Sequence, residues 1–126
     1  MPKMTGARFL AEALQAYGVT SVFFIPGIVK KALFEMDERT QIQRVLTHGE
    51  KSAAYMADGY ARVTGRPGVC EGPSGGGATY ILPGVVEANE SSFPILAITS
   101  DVATSSRGRY PLTELDQPAL FGPLTK

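Results

Sequence analysis

The side chain with the clearest chemical use is Glu50, inside the stretch VLTHGEKSAAYMADGYARVTGRPGVCEGPSGGGATY, Val45 to Tyr80. A carboxylate placed where an apolar run stops and a helix begins can do one of two things. It can complement the helix dipole. It can also hold a proton at a defined place, and shielding from water improves it for that task. A second feature lies close by in the chain. The loop GPSGGGAT, Gly72 to Thr79, precedes a helix, so its free amides could receive an anion. It is neither the G-x-x-x-x-G-K-[ST] loop nor the G-x-G-x-x-G fingerprint after a first strand. Its glycines are better read as letting something approach the backbone closely. Asp58 and Arg62, four residues apart, read most simply as a surface ion pair. Cys70 is the single cysteine and sits in an apolar run, where an inert buried thiol is expected. His48 is the only histidine, which excludes a His-rich metal site, and no metal-ligating residue is assigned in the chain.

Positioning these groups requires an alternation of helices and strands. Thr5 is suited to cap a helix in which Phe9, Leu10, Ala13, Leu14 and Tyr17 recur at helical spacing and which Gly18 ends. A buried strand follows from Val22 to Ile25, stopped by Pro26 and Gly27. VKKALFEMDE reads as a helix and IQRVLTH as a short strand. A second strong helix runs from Glu50 to about Thr64, with Ala53, Met56, Ala57, Tyr60 and Ala61 on one face. Small residues there, with Gly59 beside them, predict close packing against the sheet or against a second subunit. RPGVCEG is a strand, and GGATYILPGVVEANES is helical in outline although Pro83 and Gly84 weaken or kink it. PILAIT, Pro94 to Thr99, is the most apolar strand; DVATSSRGRYP is a loop, and LDQPALFGPLTK a turn with a short helical piece.

Strands that are continuous apolar runs, separated by helices, predict an α/β fold with a parallel sheet covered by helices on both faces. Ligands of such sheets collect at the carboxyl ends of the strands. Three turns lie there: Pro26-Gly27, Thr47 to Glu50, and Gly72 to Gly77. The 126 residues suit one domain, and the ending FGPLTK, with no closing element, is what a domain cut from something longer would show. Twelve basic and twelve acidic residues give a formal net charge of zero, so nothing points to nucleic acid or an anionic membrane surface. No apolar run approaches the roughly 18 residues of a spanning helix, and the N-terminus lacks a signal-peptide core. A soluble, cytoplasmic setting is the default.

HGEKSAAYMADGYARVTGRPGVC, then PSGGGAT, then FPILAIT, in this order and spacing, resemble the N-terminal pyrimidine-binding domain of thiamine-diphosphate-dependent enzymes. The nearest resemblance is to the acetolactate synthase and 2-oxoacid decarboxylase group. It extends over nearly the whole chain, and the stretch from the glutamate to ADGYAR is its specific part. For Glu50 the resemblance implies a hydrogen bond to a ring nitrogen of the cofactor's aminopyrimidine. That bond helps the ring draw a proton from the thiazolium carbon, which then attacks the carbonyl of a 2-oxo acid. Pro26 and Gly27 match the family's turn against the pyrimidine; Ser74, Gly75, Gly77, Ala78 and Thr79 match its loop beside the cofactor. The resemblance further implies thiamine diphosphate as cofactor and Mg²⁺ held through a diphosphate-binding domain absent from this chain. It implies a homo-oligomer, dimer or tetramer, with a self-association surface on the Glu50 to Arg62 helix. FAD, bound by some relatives, is left open, as is decarboxylation against carboligation.

The chain also departs from the family pattern. Gly49 separates His48 from Glu50. Gly76 stands where the loop has proline, Tyr80 where asparagine follows the threonine, and Thr113 where a glutamine is usual. Members that use a catalytic serine and histidine have them at the positions of Ile28 and Pro73. The Gly-Asp-Gly…Asn motif for the diphosphate is missing, so residues 1–126 would supply at most half a site. Two other readings stand beside the enzyme: a non-catalytic binding or regulatory module that kept the fold, and a Rossmann-like nucleotide binder, for which the fingerprint is lacking.

Overall fold

The computed structural model describes residues 3–27 and 29–126. The first helix, α1, runs Gly6–Ala16, and the Thr5 hydroxyl caps it by accepting the Arg8 N–H at 3.2 Å. Gly18 leaves it at φ +79°, a conformation few side-chain-bearing residues adopt. The apolar face differs from the expected one. Ala11 and Leu14 are buried, whereas Phe9 and Tyr17 are 63% and 89% exposed. β1 (Ser21–Phe24), α2 (Lys30–Arg39), β2 (Gln43–Leu46) and α3 (Glu50–Thr64) follow. Then come β3 (Gly68–Gly72), α4 (Gly76–Glu90), β4 (Ile95–Thr99) and, after a loop with one 3-10 turn, the short α5 (Gln117–Phe121).

The four strands are parallel and ordered β2-β1-β3-β4. Each face of the sheet has its own core. Leu14, Val22, Phe24, Leu33, Met36 and Val69 join α1 and α2 to one face. Ala53, Ala57, Cys70, Ile81 and Val85 join α3 and α4 to the other. Burial from both sides explains why the inner strand β3 is buried at every position, whereas the edge strand β2 is partly exposed. β1 feeds α2 on one face and its neighbour β3 feeds α4 on the opposite face. The tips of β1 and β3 are therefore the topological switch point, where such sheets open a crevice.

The small residues of α3 are used within the chain. A Cβ on Gly68 would stand 2.0 Å from the Ala57 carbonyl oxygen, and one on Gly84 would stand 2.5 Å from the Ala54 Cβ. Helix α3 thus lies nearly in backbone contact with both β3 and α4. This accounts for the Pro-Gly pair inside α4. Pro83 removes one helical hydrogen bond, yet α4 continues unbroken to Glu90, and Gly84 is where α3 comes too close for any side chain.

Asp58 corrects the surface reading. It is 5% exposed, and Arg62 donates to it at 2.7 Å while also reaching Glu87 on α4 at 3.1 Å. The guanidinium lies 4.7 Å from the centre of the Phe93 ring. The pair is a clamp between α3 and α4.

Candidate site at the strand tips

Glu50 is the first residue of α3 and is half-buried. The turn that delivers it is tied to the tip of β1. Thr47 donates its backbone N–H to the Phe24 carbonyl at 3.0 Å, and its hydroxyl reaches the Phe24 and Gly49 carbonyls at 3.2 and 2.9 Å. The helix start is therefore fixed relative to the sheet. No Lys or Arg pairs with Glu50 among the described residues. Gly49 has extended backbone and open space at its Cβ position, so neither conformation nor packing demands glycine there. His48 is exposed.

The tips of β1 and β3 touch. A Cβ on Gly27 would come 2.9 Å from the Pro73 Cβ, and one on Gly77 would come 2.7 Å from the Pro73 Cδ. Pro73 is thus wedged between two glycines, one from each side of the crevice. Pro26 is exposed beside it, and Ile28 lies outside the described residues. Gly75 takes φ +66°, and its missing Cβ leaves room for Thr113, whose Cβ would be 2.8 Å away. Ser74 is buried: its N–H donates to the Ser100 hydroxyl at 2.9 Å, and its own hydroxyl pairs with that of Thr113 at 2.8 Å. The Thr79 hydroxyl donates back to the Gly76 carbonyl at 2.7 Å. Most of the loop is therefore committed to internal packing. Gly76 is the exception, exposed and with nothing within 4 Å of its Cβ position. Tyr80, one turn further, is also exposed.

One functional group escaped the sequence reading. Glu71 is 1% exposed at the penultimate position of β3, and neither of its carboxylate oxygens has a hydrogen-bond partner among the described residues. Burial, and secondly the charge of Glu50, push its pKa up from 4.5 to about 7. The available signal was an acid inside the otherwise apolar GVCEG, directly before the glycine-rich loop. Its neighbour Cys70 matches expectation, a buried thiol whose pKa is pushed up to about 12 by burial first and the Glu71 charge second.

The strand tips thus place Gly27 against Pro73, with the turn before Glu50 tied to the end of β1 and Glu71 two residues before Pro73. They offer a half-shielded carboxylate, an open stretch of backbone and a second, buried acid.

Comparison with known proteins gives the same direction. The family model described as the thiamine pyrophosphate enzyme, N-terminal TPP binding domain, matches residues 4–120. A probable acetolactate synthase large subunit of Methanocaldococcus jannaschii is 37% identical over 123 residues, 98% of this chain and 21% of that protein. Acetolactate synthase of Bacillus subtilis is 36% identical over 98% of this chain and 22% of its own length. A probable 2-ketoarginine decarboxylase of Pseudomonas aeruginosa is 39% identical over 97% of this chain and 22% of its own length. The chain spans about a fifth of the length of these relatives. Among the described residues no helix is long and apolar enough to cross a membrane, and no cluster of His, Cys, Asp and Glu is arranged to hold a metal.

Proposed function

The chain belongs to the N-terminal TPP binding domain family of thiamine pyrophosphate enzymes, and from that premise we propose that Glu50 holds the aminopyrimidine of thiamine diphosphate in an enzyme acting on 2-oxo acids. The carrying observation is the placement of Glu50 at the switch point, half-buried and without an ion-pair partner among the described residues. When bound, the cofactor supplies a carbon acid that adds to a 2-oxo acid and an electron sink for its decarboxylation. The chain's residues do the rest. Glu50 would hold one proton for a ring nitrogen of the cofactor, and the anchored Thr47 turn would keep the carboxylate in place. Gly27 and Pro73, packed against each other, would line the place of the ring, and Gly76 would leave backbone open to it. Ser74, Gly75, Gly77 and Thr79 act at one remove, by fixing the loop that shapes this wall.

On this reading the diphosphate and its Mg²⁺ belong to a further domain of the whole protein, and a homo-oligomer completes the site. The exposed Tyr55, Met56 and Val63 on the outer side of α3 form the self-association surface. Product analysis of the full-length protein with 2-oxo acids separates carboligation from simple decarboxylation. The test of the role itself is Glu50→Gln in the full-length protein. Turnover falls by about a hundredfold or more while the fold is retained. Unchanged turnover refutes the assignment, and absence of any turnover in the native protein favours a non-catalytic binding module.

A further inference from the structure

The two edges of the sheet are not alike. An edge strand offers unpaired backbone groups, and charged side chains on it discourage further pairing. β2, at one edge, carries Arg44, which is bound to Asp37 and to the Leu33 carbonyl. β4, at the other edge, reads ILAIT and carries no charge. Among the described residues it has β3 on one side and no strand on the other. Parallel strands bond through alternate residues, because successive residues direct their N–H and C=O groups to opposite sides. The Pro94 carbonyl accepts from Gly68, and the Ser100 N–H donates to Gly72, so the even-numbered residues of this strand bond to β3. Ile95, Ala97 and Thr99 therefore direct three N–H and three C=O groups away from the sheet.

The same three residues line a groove of about 680 Å³, walled by Val85 on α4 and by Pro118 and Phe121 on α5. Leu96, on the opposite face of β4, is 44% exposed. Unpaired main chain beside apolar walls is what an added strand uses: backbone hydrogen bonds hold it, and its alternate side chains fill the groove. The course of the chain points to the source of that strand. Residues 124–126 also line the groove. The matching family model is an N-terminal domain, and the relatives extend well beyond the part that this chain matches. We propose that in the full-length protein the open edge of β4 receives a strand from the sequence after Lys126, apolar where its side chains enter the groove. β4 leads directly into Ser100, whose hydroxyl accepts the Ser74 N–H and whose carbonyl accepts from Gln117. The added strand thereby braces the glycine-rich loop through Ser100. This inference is independent of the role of Glu50.

Two measurements on the purified full-length protein test the proposal. The first needs no variant. Hydrogen exchange, resolved residue by residue, compares the Ile95, Ala97 and Thr99 amides with those of Leu96 and Ile98, which bond to β3. With a strand in place the two sets exchange within about a hundredfold of each other; a larger excess in the first set means an open edge and overturns the proposal. The second measurement identifies the strand. Leu96→benzoylphenylalanine places a photo-cross-linker on β4, in protein assembled from a mixture of light- and heavy-nitrogen copies, and the cross-linked peptides are sequenced. Cross-links within one copy to residues beyond Lys126 are expected. Cross-links only to another copy, only to residues 1–126 or only to a co-purified protein overturn the proposal, as does their absence.

Discussion

The α3–α4 layer and the strand-tip crevice each bury a carboxylate, and they treat it in opposite ways. In the layer, Asp58 is neutralised by Arg62, which also binds Glu87 and covers Phe93. In the crevice, Glu71 has no such partner among the described residues, and burial first and the Glu50 charge second push its pKa up to about 7. The first arrangement is what structure alone requires of a buried acid. The second works against the fold and has a purpose only if a proton or a ligand is expected there. Gly68 and Gly84 in the layer are filled by neighbouring atoms, as are Gly27, Gly75 and Gly77 in the crevice, while Gly76 opens onto space.

The largest effect should come from the closed layer. Gly68→Ala forces a Cβ to within 2.0 Å of the Ala57 carbonyl oxygen, and urea denaturation should show a loss of about 3 kcal/mol. A loss under about 1 kcal/mol would mean that the α3–β3 contact is looser than described.

The crevice should show the next effect, and it depends on pH. The Glu71 pKa is raised in the folded state, to about 7 from 4.5, so the protonated form is the one that folding favours. Its contribution is complete below about 4.5 and is lost as pH rises through about 7. The shift corresponds to about 3 kcal/mol at most, less where water relaxes around the charge. Denaturation of Glu71→Gln should therefore show stability nearly independent of pH across that window, in contrast to the native protein. Asp58→Asn should leave the slope in that window unchanged, because the Asp58 charge is already matched by Arg62.

Removing the clamp sharpens the contrast from the other side. Arg62→Met leaves Asp58 buried and alone, and should destabilise more than the double change Asp58→Asn with Arg62→Met. A double-mutant cycle with no coupling would mean that Asp58 tolerates burial without its partner. The smallest effect is expected at Gly76. Gly76→Ala should change stability by about 0.5 kcal/mol or less, yet weaken cofactor binding, read by calorimetric titration of the full-length protein. Unaltered affinity would show that the open backbone is not used.

Much of the fold was legible because periodicity reports burial on both sides of a sheet. The bounds of α3 follow from Glu50, the small-residue face and Gly65, which leaves the helix at φ +66°. What escaped are properties set by neighbours distant in sequence. Phe9 and Tyr17 fall on a plausible apolar face, but α1 presents Ala11 and Leu14 to the core. Asp58 and Arg62 have the spacing of a surface pair, and only the approach of α4 buries the acid. Gly84 looked like a helix fault until Ala54 was seen to occupy the space of its missing side chain. Of the candidate site, Glu50, Gly27 and the glycine-rich loop were named from residue order and resemblance. Glu71 was not, since a lone acid in a strand has no pattern of its own.

The central claim is that Glu50 governs a proton at the bound cofactor. Exchange of the thiazolium carbon-bound hydrogen for deuterium, measured by NMR on thiamine diphosphate recovered from the full-length protein, reads that proton before any substrate enters. Exchange in Glu50→Gln should be slower than in the native protein by about a hundredfold. Equal rates in the two proteins, with the cofactor bound in both, would contradict the account.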